Sequence, residues 1–184
     1  RAGIDVLIAT DPSNQAWLTG YDGWSFYVHQ AVILPIDGTP FWWGRRQDSN
    51  GALRTVNRAV TDVEFYTDDF VQSTERHPMQ DLSAKLAARG LARGRIGVEM
   101  DNYYFSAKAH TTLVTSLPDA TIVDATALVN WQRAVKSEEE LTFMRRAATI
   151  TEKIIQLAID RAAPGLRKNE LAAEIMASGI TGVG

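Results

Sequence analysis

Between Gly20 and Arg46 the chain collects the side chains best suited to hold a small molecule. Trp24, Phe26 and Tyr27 stand together, His29 follows, and Arg45 closes a second aromatic run, Phe41-Trp42-Trp43. Aromatic rings offer rigid apolar contact and, in Trp and Tyr, a polar tip, which suits a ligand-pocket wall. Packing is the competing use: Trp24, Phe26 and the Trp42-Trp43 pair would then bury against neighbouring elements. The sequence supports both readings equally. Arg45 or Arg46 could grip a carboxylate in the bidentate geometry that only a guanidinium offers, or face solvent or a partner. His29, a lone histidine, fits a hydrogen-bonded structural role better than a catalytic one. His29, His77 and His110 are far apart and show no paired-ligand spacing. The chain has no cysteine, which removes disulfides, thiolate metal sites and a Cys nucleophile.

Strands alternating with helices must position these residues, and that pattern implies an α/β layer structure. IDVLIA at residues 4–9 reads as a buried strand. Asp11-Pro12 then supplies a helix cap and a first-turn proline, and Gly20 a stop; Trp17 and Leu18 are expected to face the core from this helix. The aromatic segment leads into a strand from Ala31 to Pro35. A turn at Asp37-Gly38 and a returning strand at Pro40–Gly44 complete a hairpin. A helix to about Arg58, a strand over Asp62–Tyr66, an irregular loop over Asp68–His77 and a helix over Pro78–Gly90 follow. RIGVEM, at Arg95–Met100, is the clearest strand. Ser106 caps a helix ending before Pro118, and Thr121–Val123 is the last strand.

A charged, extended run, Arg133-Ala134-Val135-Lys136, comes next. Ser137 and Glu140 have the spacing of a capping box, and Glu138, Glu139 and Glu140 put negative charge on the positive end of the helix dipole. Apolar residues recur at Leu141, Met144, Ala148, Ile154, Ile155 and Ala158 until Pro164-Gly165 stops the helix. About 25 residues of helix would run roughly 37 Å, as expected of a connector opening a new domain.

At 184 residues the chain can hold one ordinary domain plus an extension. It is 45% hydrophobic and 22% charged, within the range of soluble globular proteins. With a net charge of -3 and no basic cluster longer than a pair such as Arg45-Arg46 or Arg145-Arg146, neither nucleic acid nor an anionic membrane is an expected partner. No apolar run approaches the ~20 residues of a membrane span. No signal peptide is visible, so the cytoplasm is the expected address. The first residue is Arg rather than Met, so a true start further upstream is expected.

RAVKSEEELTFMRRAA followed by PGLRKNELAAEI resembles the junction of the creatinase / Xaa-Pro aminopeptidase (pita-bread) family, and the strand, DPSN turn, helix and TGY order resembles its opening. LTGYDGWSFYVHQ, STERHPM, GVEMDNYYFSAKA and VDATALVNWQRAVKS are similar to a branch that opens a cyclic amidine by cleaving a C–N bond. The resemblance implies a creatinase-type N-terminal α/β domain over residues 1–130. Its mixed β-sheet, flanked by helices, would be ribonuclease H-like. Residues 131–184 would be the hinge and first helices of an incomplete pita-bread catalytic domain.

It also implies that the reactive centre lies after Gly184. Peptidase members bind two divalent metals there, whereas the creatinase branch uses side-chain acid/base chemistry. No catalytic residue, metal ligand or cofactor is therefore expected within this chain, and the chain alone should be inactive. A homodimer in which this domain lends residues to the partner's small-molecule site is the expected assembly. By position after TGY, Phe26 matches an aromatic lining the creatinase pocket, while Val28 falls where creatinase has an arginine, which argues against creatine. Trp24, Tyr27, His29 and Arg45 join Phe26 as pocket candidates by chemistry and neighbourhood. The alternatives are a metal-dependent Xaa-Pro peptidase, or a catalytically silent domain for dimerisation or ligand binding.

Overall fold

Alternation of side chains along the strands builds the core on both faces of one sheet. In β1 (Val6–Ala9), Val6 and Ile8 join the larger cluster on one face while Leu7 joins a separate one. In β3 (Phe41–Arg45), Phe41 and Trp43 enter that larger cluster while Trp42 packs with Tyr21, Val32 and Ala52. Both tryptophans are wholly buried, so the Trp42-Trp43 pair is packing and not ligand wall. The Trp43 indole N–H is paid for by Asp81, 2.8 Å away.

With β2 (Ala31–Pro35), β4 (Asp62–Tyr66), β5 (Gly94–Val98) and β6 (Ala120–Asp124), the sheet has the order β4-β3-β2-β1-β5-β6. β1–β2 and β2–β3 pair antiparallel; β3–β4, β1–β5 and β5–β6 pair parallel. The hairpin register sets Ala31 opposite Trp43 and Ile33 opposite Phe41. Helices α3 (Pro78–Ala88) and α4 (Ala107–Ser116) cover the larger cluster through Met79, Leu82, Leu86, Ala109 and Leu113. The computed structural model describes residues 3–57 and 59–182.

Helix α1 (Pro12–Thr19) begins and ends as its sequence dictates. Asp11 accepts the backbone N–H groups of Ser13 and Asn14, and Gly20 closes it with φ 80°. Its inward face differs from expectation. Trp17 is 45% exposed, and Asn14, Gln15 and Thr19 are buried instead. The groups beneath this helix are polar, the Thr10 carbonyl and the Glu99 carboxylate, and Gln15 and Asn14 donate to them at 3.0 and 2.6 Å. Leu18 does pack against the smaller clusters. Helix α2 (Ser49–Thr55) stops short of the expected limit near Arg58, which lies outside the described residues.

Arg133 and Ala134, expected to be extended, form the end of helix α5 (Leu128–Ala134). Val129 anchors that helix in the cluster around Leu7, and Arg133 Nη1 donates to Asn14 Oδ1 at 2.6 Å, which keeps the last turn helical.

Two units separate by contacts, Arg1–Ala134 and Val135–Gly184. The second is a helical hairpin of α6 (Glu138–Arg161) and α7 (Lys168–Thr181). The Ser137–Glu140 capping box is formed in both directions, at 3.2 and 2.7 Å. Arg161 holds Glu174 with both guanidinium arms, at 2.6 and 2.7 Å. Among the described residues no residue of either helix is buried as a whole, and Phe143, Met144, Ile155, Ile159, Met176 and Ile180 are exposed.

Candidate functional site

The topology delivers several segments to one end of the sheet. β1 and β5 run parallel and end there, and β2, antiparallel to β1, begins there. β3 and β4 also end on that side. The aromatic segment 21–30 enters β2 at this end, and the segment 101–106 leaves β5 at it. In open α/β sheets this is where ligands bind.

Trp24, Phe26 and Tyr27 are exposed by 59%, 66% and 58%, so they do not serve the core. Tyr103, 69% exposed, and half-buried Tyr104 meet them from the other segment. Four rings close on themselves. Trp24–Phe26 lies at 6.2 Å, Phe26–Tyr103 at 5.7 Å, Tyr103–Tyr104 at 5.4 Å and Tyr104–Trp24 at 6.5 Å between centroids. A recess of about 350 Å³ opens beside them, lined by Phe26, Tyr27, Val28, His29, Tyr103, Tyr104 and Ser106. Tyr103 and Tyr104 are not among the site residues expected from the sequence; the run Asn102-Tyr103-Tyr104-Phe105, aromatic before a helix cap, is the signal that marks them.

His29 sits below this wall, its ring held by a backbone carbonyl and its own carbonyl by a side chain. Its Nδ1 lies 3.2 Å from the Tyr104 carbonyl, which can only accept, so Nδ1 carries the proton and Nε2 the lone pair. The His29 carbonyl accepts from the Tyr66 hydroxyl at 2.9 Å. Burial holds its imidazole below the ordinary histidine range, against a smaller pull from the Tyr104 carbonyl. The His77 ring lies 5.0 Å away at 45°. His77 Nδ1 accepts the Met79 N–H at 3.2 Å as the cap of α3, and its pKa is pushed down to about 4 by burial, then by His29 and Lys108. A second, smaller cleft of about 160 Å³ runs between Tyr27, His29, Tyr66, Phe70 and His77.

Arg45 reaches the same end but is committed. Nε and Nη2 hold the Asp68 carboxylate at 2.8 and 2.9 Å, and Nη1 donates to the Tyr27 hydroxyl at 3.0 Å. The hydrogen bond to Asp68 raises Arg45 and holds the Asp68 carboxyl below the usual range. The structure thus joins Trp24 with Phe26, and Tyr27 with Arg45, and places His29 behind them.

Chemically this is a surface for recognition: π faces, phenol hydroxyls and one imidazole lone pair. Among the described residues no group of three His, Cys, Asp or Glu side chains could hold a metal ion, and no helix is long and apolar enough to cross a membrane.

The chain has relatives among known proteins. The Creatinase/Prolidase N-terminal domain model matches residues 1–135. The chain is 51% identical to ectoine hydrolase of Halomonas elongata over 181 residues, covering 98% of this chain and 45% of that protein. It is 41% identical over 180 residues to an uncharacterised hydrolase/peptidase of Sinorhizobium fredii, covering 97% of this chain and 46% of that one. The chain therefore spans about half the length of the curated relatives it matches. Among solved structures, X-Pro aminopeptidase from Thermotoga maritima superposes with a TM-score of 0.71 at 15% identity, over 97% of this chain and 47% of that one. The prolidase of Thermococcus sibiricus gives 0.72 at 17%, over 96% and 45%. At such identities these two structures establish the fold alone. With the family model covering most of its length, the chain belongs to the creatinase/prolidase family, and residues 1–135 are its N-terminal domain.

Proposed function

We propose that this chain is the N-terminal part of a C–N bond hydrolase of the ectoine hydrolase type. In this reading it binds and orients a small cyclic substrate through Trp24, Phe26 and Tyr27, with His29 and Arg45 behind them. The reactive groups, and any divalent metal, belong to the remainder of the protein. The carrying observation is the 51% identity along nearly the whole chain. The outward-facing aromatic wall at the strand ends agrees with it. The domain works within a homodimer in the cytoplasm, facing the partner's reactive centre, and residues 1–184 turn over nothing alone. The exposed apolar residues of α6 and α7 support an incomplete second domain.

The test is hydrolysis of ectoine and of an Xaa-Pro dipeptide by the full-length protein, with and without chelator, beside residues 1–184 alone. Ectoine should be opened by the full-length protein only. Chelator-sensitive cleavage of the dipeptide with ectoine untouched would make the parent a metal-dependent Xaa-Pro peptidase. A full-length protein inert on both would leave a catalytically silent binding or dimerisation domain.

A further inference from the structure

The four rings Trp24, Phe26, Tyr103 and Tyr104 form a closed circuit in which every ring touches two others. Hydrophobic packing does not call for such a circuit at a surface, since Trp24, Phe26 and Tyr103 each keep more than half their area in solvent. It is also built to hold its shape. Asn102 Oδ1 accepts the Tyr104 N–H at 2.8 Å, while Asn102 Nδ2 donates to Thr10 Oγ1 at 2.7 Å and to the Glu99 carbonyl at 2.8 Å. The neighbouring Phe105 is buried in the main core and anchors the segment from its other end. A wall fixed in advance loses little freedom on binding.

Charge is distributed unevenly around it. The recess beside the rings is lined by no carboxylate and no Lys or Arg. The nearby Arg45 already has its two parallel donors on Asp68 and its third on Tyr27. An anionic ligand group finds no unpaired guanidinium lining the recess. What the wall does offer is the negative face of several π systems, which attracts a cation within about 6 Å of a ring centroid.

We propose that Tyr103 and Tyr104, with Trp24 and Phe26, are specificity residues that select a planar, delocalised cation, the amidinium of a cyclic substrate, and that this wall makes no direct contact with the substrate's carboxylate. The inference rests on the reading above for its choice of substrate. The ring faces take the N–C–N plane.

The experiment compares two ligands by calorimetry on the full-length protein: ectoine, whose ring is an amidinium, and the isosteric six-membered lactam carboxylate, whose ring is neutral. The wild type should prefer ectoine, and Tyr103→Leu should lower that preference about 5- to 30-fold. Tyr103→Phe, which keeps the ring, should stay within about twofold of wild type. Equal loss of both ligands in Tyr103→Leu, or an unmoved preference, overturns the proposal. Cleavage of ectoine with a preference insensitive to Tyr103 overturns it while sparing the hydrolase reading. A Tyr103-dependent preference without cleavage sustains the cation box and removes the hydrolase reading instead.

Discussion

The side-chain amide of Asn14 donates to Oε1 of Glu99 at 2.6 Å, across 85 residues of chain. Glu99 Oε2 meanwhile accepts the backbone N–H groups of Thr10 and Asp11, each at 2.8 Å. Asn14 also bonds Asn130 at 2.9 Å and Arg133 at 2.6 Å. One buried carboxylate therefore ties the exit of β1 to α1 and, through Asn14, to α5.

Every group aimed at the Glu99 side chain is a donor, so Glu99→Gln turns amide hydrogens toward N–H groups. It should destabilise the protein by about 1–3 kcal/mol, read from denaturant midpoints. Burial raises the Glu99 pKa, opposed by its hydrogen bonds to Asp11, Asn14 and Thr10. The folded state thus holds this proton more tightly than the unfolded chain does. Its contribution is complete below the ordinary value of 4.5 and is lost as pH rises through the raised one. That slope should be missing from Glu99→Gln; an identical slope and midpoint in the two proteins would mean the hub is dispensable.

His77 titrates with the opposite sign. Its pKa falls from 6.5 to about 4 on folding, so its contribution is full above 6.5 and disappears as pH drops toward 4. Protonated Nδ1 can no longer accept from Met79. His77→Asn should keep the cap and flatten this part of the stability curve, while His77→Ala should lose about 1 kcal/mol at neutral pH. Thermal unfolding between these pH limits is the measurement, and a curve unchanged by His77→Asn would place the transition elsewhere.

Phe26 and Trp43 should separate binding from folding. Phe26 is largely exposed, so Phe26→Ala should alter stability by no more than about 0.5 kcal/mol. In the full-length enzyme the same change should raise KM roughly tenfold or more. Trp43 is wholly buried, and Trp43→Ala should cost about 3–5 kcal/mol of stability. Large destabilisation by Phe26→Ala with unaltered KM would return Phe26 to a packing role.

Arg45 tests the carboxylate clamp. Because its donors already hold Asp68 and Tyr27, Arg45→Gln should change KM for the zwitterionic substrate by less than about twofold. A rise comparable to that of Phe26→Ala would show that Arg45 leaves Asp68 to grip the ligand.

The sequence by itself determined the local structure of this protein. The Asp11 and Ser137 caps, the Gly20 stop, the hairpin around Asp37-Gly38 and the long helix α6 each depend on residues close together in sequence, and such contacts can be read along the chain. Tertiary structure alone decided which face of α1 turns inward, because Glu99 lies 85 residues from Asn14 and nothing near Trp17 announces a polar floor. It also decided the fate of each aromatic. Trp24 and Trp42 are the same residue type in similar company, yet one faces water and the other fills the core. The ring circuit needed two loops 77 positions apart, Phe26 to Tyr103, brought to one sheet end by the pairing of β1 with both β2 and β5. Pairing of strands distant in sequence, such as β1 with β5, is a long-range choice set by what the whole core can bury, and no local spacing encodes it.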